Sequence, residues 1–145
     1  MALEGCACPM GIVSRSFLKS LRLASDEIAV VDMEAGVEHF GRGVETGVDC
    51  VVIMVEPSLD SIDIAGKIRE MSDQIHIGDV WAVLNKITSK ELADELTNEL
   101  TARGLTVIGS IRSDQEIVMS CLRGTPLNGP LAEEDVEHIL DFMFP

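Results

Sequence analysis

The sequence predicts an α/β fold: a mostly parallel sheet of about four strands with helices on both faces. Three observations lead there. Four short runs, Glu27–Val31, Cys50–Val55, Asp79–Leu84 and Leu105–Ile111, are apolar at successive rather than alternate positions, as strands buried on both faces are. Helix signals follow each of the last three runs, so strands alternate with helices and join as parallel neighbours. Each run stops at polar residues: Asp32, Glu56-Pro57, Asn85-Lys86 and Arg112-Ser113-Asp114.

The elements follow in order. Cys6-Ala7-Cys8-Pro9 opens a loop marked by Pro9 and Gly11. Val13, Phe17, Leu18, Leu21 and Leu23 stand near helical spacing and predict a helix over Val13–Leu23. The first strand ends at Asp32. A loop from Met33 to Gly47 carries Gly36, Gly41, Gly43 and Gly47, with a short helix expected near 38–45. Cys50–Val55, six residues without a charge, forms the second strand. Ser58 then caps a helix to about Met71, with Asp60 in its first turn and Leu59, Ile62, Ala65 and Ile68 facing inward.

Asp79–Leu84 is the third strand. Thr88-Ser89-Lys90-Glu91 reads as a capping box, in which Thr88 accepts from a first-turn amide and Glu91 reaches back. Leu92, Leu96 and Leu100 then recur at four-residue spacing, with Arg103 in the last turn and Gly104 at C′. After the fourth strand, Asp114 caps a short helix carrying Ile117, Val118, Cys121 and Leu122. Gly124, Pro126, Gly129 and Pro130 form a loop. Glu133–Phe142 is the terminal helix, with Val136, Ile139, Leu140 and Met143 inward. Cys50 and Cys121 read as small core residues.

Composition sets limits. At 145 residues the chain is one domain with room for a real core. Aromatic residues make up 3%, so Val, Ile, Leu, Ala and Met must fill that core. The formal charge is −14, from 25 acidic against 11 basic residues. That field repels nucleic acid, whose phosphates need clustered Lys and Arg, and attracts cations or a basic surface; acids solvating the helices account for most of it. No apolar run approaches the ~20 residues of a membrane helix, and the first residues lack the pattern of a signal peptide, so a cytoplasmic protein is expected. Four cysteines without a secretory signal read as thiols or metal ligands rather than disulfides. His39, His76 and His138 have no ligand spacing.

The stretch Asp32-Met33-Glu34-Ala35-Gly36-Val37-Glu38-His39 carries the most chemistry. A carboxylate at a strand's end can hold a magnesium shell through water. Gly36, without a Cβ, lets a backbone N–H approach a phosphate, and Glu38 and His39 would ride on the loop and report the nucleotide state. On the residues alone, a strand-terminal acid capping a turn remains an equal reading. Cys6 and Cys8 can reach one soft cation but supply half a tetrahedral shell; a two-fold dimer would bring four sulfurs together. The alternative is two unpaired thiols.

Asp32-x-x-Ala35-Gly36-Val37-Glu38 resembles the Walker B and switch II segment of the deviant-Walker ATPases, the group of the nitrogenase iron protein and the cell-division and chromosome-partition ATPases. The longer string through Phe40-Gly41-Arg42-Gly43, with Cys6-x-Cys8-Pro9, Val55-Glu56-Pro57-Ser58 and Val83-Leu84-Asn85-Lys86, is most similar to one branch. That branch is the nickel-insertion ATPases that mature carbon monoxide dehydrogenase. The resemblance covers essentially the whole chain.

It implies a partial P-loop NTPase domain over 1–145, with the Cys-x-Cys loop at 1–12, the Walker B strand and switch II at 27–47 and a base-contact region at 79–115. It implies ATP or ADP with Mg, catalytic roles for Asp32, Gly36 and Glu38, and base contacts from Asn85 and Lys86 and near Asp114. It also implies nickel or zinc held by Cys6 and Cys8 of two protomers in a homodimer, with carbon monoxide dehydrogenase or a similar nickel enzyme as client.

A family member would carry a preceding segment with the first strand and a Lys-Gly-Gly-x-Gly-Lys-Thr loop. The strand bearing Asp32 would lie beside that first strand. No such loop occurs in this sequence, so negligible ATP hydrolysis by this chain alone is expected, and a raw sheet edge beside Asp32. The competing expectation is a non-catalytic metal-binding or adaptor module docking on an enzyme or on a full-length ATPase.

Overall fold

The computed structural model describes residues 16–33 and 48–145. Residues 16–20 are helical (α1). Then come β1 (Cys50–Val55), α2 (Leu59–Gln74), β2 (Asp79–Ile87), α3 (Lys90–Ala102), β3 (Thr106–Arg112), α4 (Gln115–Arg123) and α5 (Pro130–Met143). The three strands form one parallel sheet in the order β1-β2-β3. Each crossover carries a helix, as parallel neighbours require.

Side-chain alternation sorts the sheet into two faces. On one face Ile53, Val55, Val80, Ala82 and Leu84 meet Ile62 and Ala65 of α2 and Leu96 and Leu100 of α3 in a single core. On the other face Trp81 meets Phe142 of α5 edge to face, with ring centroids 5.9 Å apart. Gly109 of β3 lies under Ile139 of α5; a Cβ built there would sit 2.5 Å from Ile139 Cγ1. So α2 and α3 cover one face and α5 covers part of the other. Val52 and Met54, on β1's second face, remain exposed.

The fold class holds, with three strands among the described residues instead of about four. The expected strand over 27–31 does not form: Ile28 and Val30 are 62% and 91% exposed, and no strand is assigned there. A strand is a property of a pair, and no described strand flanks this run. The helix expected over Val13–Leu23 is seen at 16–20, and Leu21–Leu23 are not helical. The loop helix near 38–45 lies outside the described residues.

The caps show where local chemistry decides. Ser58 caps α2 as expected, accepting from the Ser61 amide, and α2 continues to Gln74. The cap of α3 is Ser89, not Thr88: Ser89 Oγ accepts from the Leu92 amide at 3.2 Å. Both hydroxyls could cap, and Ser89 is the one whose backbone is extended just before the first turn. Gly104 and Gly124 follow α3 and α4 at φ 75° and 64°, where an L side chain would be strained. Pro130 starts α5 a turn earlier than expected, at a position where its missing N–H is harmless.

Several side chains expected inward face water. Leu59 is 68% exposed, and Cys121 of α4, read as a small core residue, is exposed. Val136 and Leu140 of α5 are also exposed. Periodicity identifies which residues share a helix face; it does not supply a surface to cover that face.

Candidate functional site

The carboxyl ends of the three strands lie side by side and carry Glu56, Asn85-Lys86 and Arg112-Ser113-Asp114. Open parallel sheets bind ligands at this edge. β2 is irregular here: its step from Leu84 to Ile87 faces the shorter step from Ser110 to Arg112 on β3. The additional residue makes a bulge, which re-aims side chains. Lys86 takes a left-handed conformation, φ 60°, which disfavours a residue with a Cβ by roughly 1–2 kcal/mol.

Three contacts hold the bulge. Asn85 Oδ1 accepts from the Lys86 amide at 2.9 Å. Lys86 Nζ pairs with Glu56 Oε1 at 2.6 Å. Beyond the bulge the Ser113 amide donates to the Ile87 carbonyl at 2.9 Å. Glu56 is itself fixed, because its amide donates to Ser61 Oγ at 3.0 Å. The Lys86 amide identifies the Asn85 atom facing it as the oxygen, so the Asn85 NH₂ group points elsewhere; it bonds to none of the described residues.

Asp114 is buried, and backbone amides occupy both its oxygens. Oδ1 accepts from Glu116 at 2.9 Å, capping α4, and Oδ2 accepts from Leu131 at 3.1 Å, tying α4 to the start of α5. Its carboxylate is a structural clamp between the two helices. Next to it, Arg112 binds Asp135 of α5 through its Nε at 3.0 Å and its backbone N–H at 2.8 Å, and pairs with Glu134 at 2.5 Å. Burial raises the Asp135 carboxyl, but the Arg112 donors outweigh it, and the group lies below the usual carboxylate range.

Asp32 is exposed, in a stretch with neither helix nor strand. No hydrogen bond or ion pair among the described residues joins it to Asn85, Lys86 or Asp114. Gly36, Glu38, Cys6 and Cys8 lie outside the described residues. Among the described residues no group of three or more His, Cys, Asp or Glu side chains could hold a metal ion. Cys50 stands at the opposite end of β1; burial, then Asp79 and Asp49, pushes its thiol up. No helix among the described residues is long and apolar enough to cross a membrane.

Glu56 is read from the sequence only as a strand end and part of the resembling string; its pairing with Lys86 is seen in the structure. The signal was present: an acid and a base ending adjacent strands. The broken alternation of Val80, Ala82, Leu84 and then Ile87 also marked the bulge.

The class that the sheet and its polar edge define is a parallel α/β domain. The MinD cell division protein of Aquifex aeolicus superposes with a TM-score of 0.56 over 70% of this chain and 47% of its own, at 17% identity. A MinC:MinD complex from the same organism gives 0.58 over 78% and 48%, also at 17% identity. These likenesses show the fold. By sequence the chain is 41% identical over 141 residues to an uncharacterized ATP-binding protein of Methanocaldococcus jannaschii, covering 94% of this chain and 54% of the relative. A second such protein of that organism is 33% identical over 97% of this chain and 55% of its own length. The carbon monoxide dehydrogenase accessory protein CooC of Rhodospirillum rubrum is 36% identical over 59% of this chain and 33% of its own. The chain thus spans about half the length of the curated relatives it matches over nearly its whole extent. No family model matches it.

Proposed function

We propose that this chain takes part in binding an adenine nucleotide, with the base seated at the carboxyl ends of β2 and β3, in a nucleotide-switch protein of the deviant-Walker type. The observation that carries the reading is the Asn85-Lys86 bulge, which leaves the Asn85 NH₂ group unengaged by the described residues at the sheet edge where such ligands bind. The ATP-binding descriptions of its relatives support it. In this reading Asn85 contacts the base edge, the backbone of Arg112–Asp114 closes over it, and Asp32, Gly36 and Glu38 serve magnesium and phosphate. A bound nucleotide supplies the phosphates that the switch senses.

The finer reading is a role in maturing a nickel centre, with Cys6 and Cys8 of two protomers holding nickel or zinc in a homodimer and a carbon monoxide dehydrogenase or similar enzyme as client. The similarity to CooC supports it. Metal content of the purified protein against a Cys6→Ser/Cys8→Ser variant tests it: bound nickel or zinc lost in the variant is expected, and equal content contradicts it. The nucleotide reading is tested by calorimetric titration with ADP and ATP. Metal binding without nucleotide binding would instead favour an adaptor module.

A further inference from the structure

Lys86 is neither Gly nor Asn, yet it occupies the left-handed region, where few residues with a full side chain sit. Part of the reason is core patterning. Val80, Ala82 and Leu84 point into the α2/α3 core, so a regular strand would send Lys86 there next. The bulge absorbs one residue, leaves Lys86 in water and buries Ile87. Patterning therefore demands a bulge, but it does not choose which way the bulge aims Asn85. The contacts that choose are the Lys86–Glu56 ion pair, which joins the ends of β2 and β1, and the hydrogen bond from the Lys86 amide to the Asn85 oxygen.

We propose that Glu56 and Lys86 are positioning residues for Asn85. Their ion pair holds the left-handed turn, and the turn directs the Asn85 NH₂ group outward, where it donates to the ring N1 of an adenine, a position at which guanine carries an N–H donor instead. Glu56 suits the task because the hydrogen bond from its backbone N–H to Ser61 Oγ and the ring of Pro57 restrict its own backbone. Such an exposed pair adds little to global stability. Its effect belongs to the local geometry, since strained backbone persists only where surrounding contacts over-determine it. The inference rests on the adenine-binding reading above.

The test is calorimetry with ADP and GDP on the full chain and four variants. Glu56→Gln should weaken ADP binding about threefold and lower the ADP-to-GDP preference. Lys86→Val, a β-branched side chain where φ is positive, should weaken it about tenfold. Lys86→Gly, which accepts that φ without the ion pair, should stay within about threefold of the parent. The exchange Glu56→Lys/Lys86→Glu should restore both affinity and preference. Faster amide exchange at Lys86 in Glu56→Gln is expected as well. Equal ADP binding by Lys86→Val and Lys86→Gly, or failure of the exchange to restore, overturns the inference while leaving adenine binding intact. A parent chain that binds no ADP overturns both.

Discussion

Asp114 clamps two helices together. Its two carboxylate oxygens accept the Glu116 and Leu131 amides inside the protein. Replacing it with Ala strands two donors and removes a cap, which should destabilise the fold by about 2–3 kcal/mol. Urea denaturation measures that loss. If the carboxylate has no part in base binding, ADP affinity of the folded variant should stay unchanged under stabilising conditions. Gly109 makes a second residue-scale case. Gly109→Ala should cost about 1–3 kcal/mol, because the new Cβ meets Ile139 Cγ1, and Ile139→Ala in the same chain should recover less than it would lose alone. Of the candidate site, Asn85 and Lys86 were legible as a strand end, because Asn-Lys breaks an apolar run. The left-handed turn and the Glu56 partner were not, because both depend on which strand lies alongside.

The joint between β3 and α5 shows what a single element contributes. Arg112 ends β3, and Asp135 and Glu134 lie in the first turns of α5. The sign of the pH dependence follows from Asp135, whose carboxyl is held below its ordinary value by Arg112 despite burial. A depressed carboxyl stabilises the fold above its unfolded value, about 3.9, and loses that contribution as pH falls through the lower folded value. Asp135→Asn should therefore be less stable than the parent at pH 7, by about 1 kcal/mol or less because Arg112 is partly in water. The difference should shrink as pH drops below about 4. Thermal melts of both proteins from pH 7 to pH 3 measure it. Helices were the most legible elements, since Ser58, Asp114 and Gly124 announce their own ends. On α4, Val118 and Leu122 are exposed, and spacing alone does not say whether another element covers them.

At the scale of the whole molecule, the sheet has one described neighbour for β1 and an apolar second face with Val52 and Met54 exposed. An edge without a neighbour among the described residues invites pairing. Val52→Lys should reduce light scattering of concentrated protein while leaving Tm nearly unchanged; equal scattering would remove the edge from the account. The sheet was legible because three continuous apolar runs each led into a capped helix. The run before Asp32 carried the same composition and failed to form a strand, since hydrophobicity does not provide hydrogen-bonding partners.

The central claim is adenine recognition by Asn85 at the end of β2, and calorimetric titration of ADP into the parent chain and into Asn85→Ala tests it most directly. The account predicts saturable binding by the parent, weakened about tenfold or more in the variant through the lost base contact. Equal affinity in the two proteins, or no heat of binding in the parent, would contradict it.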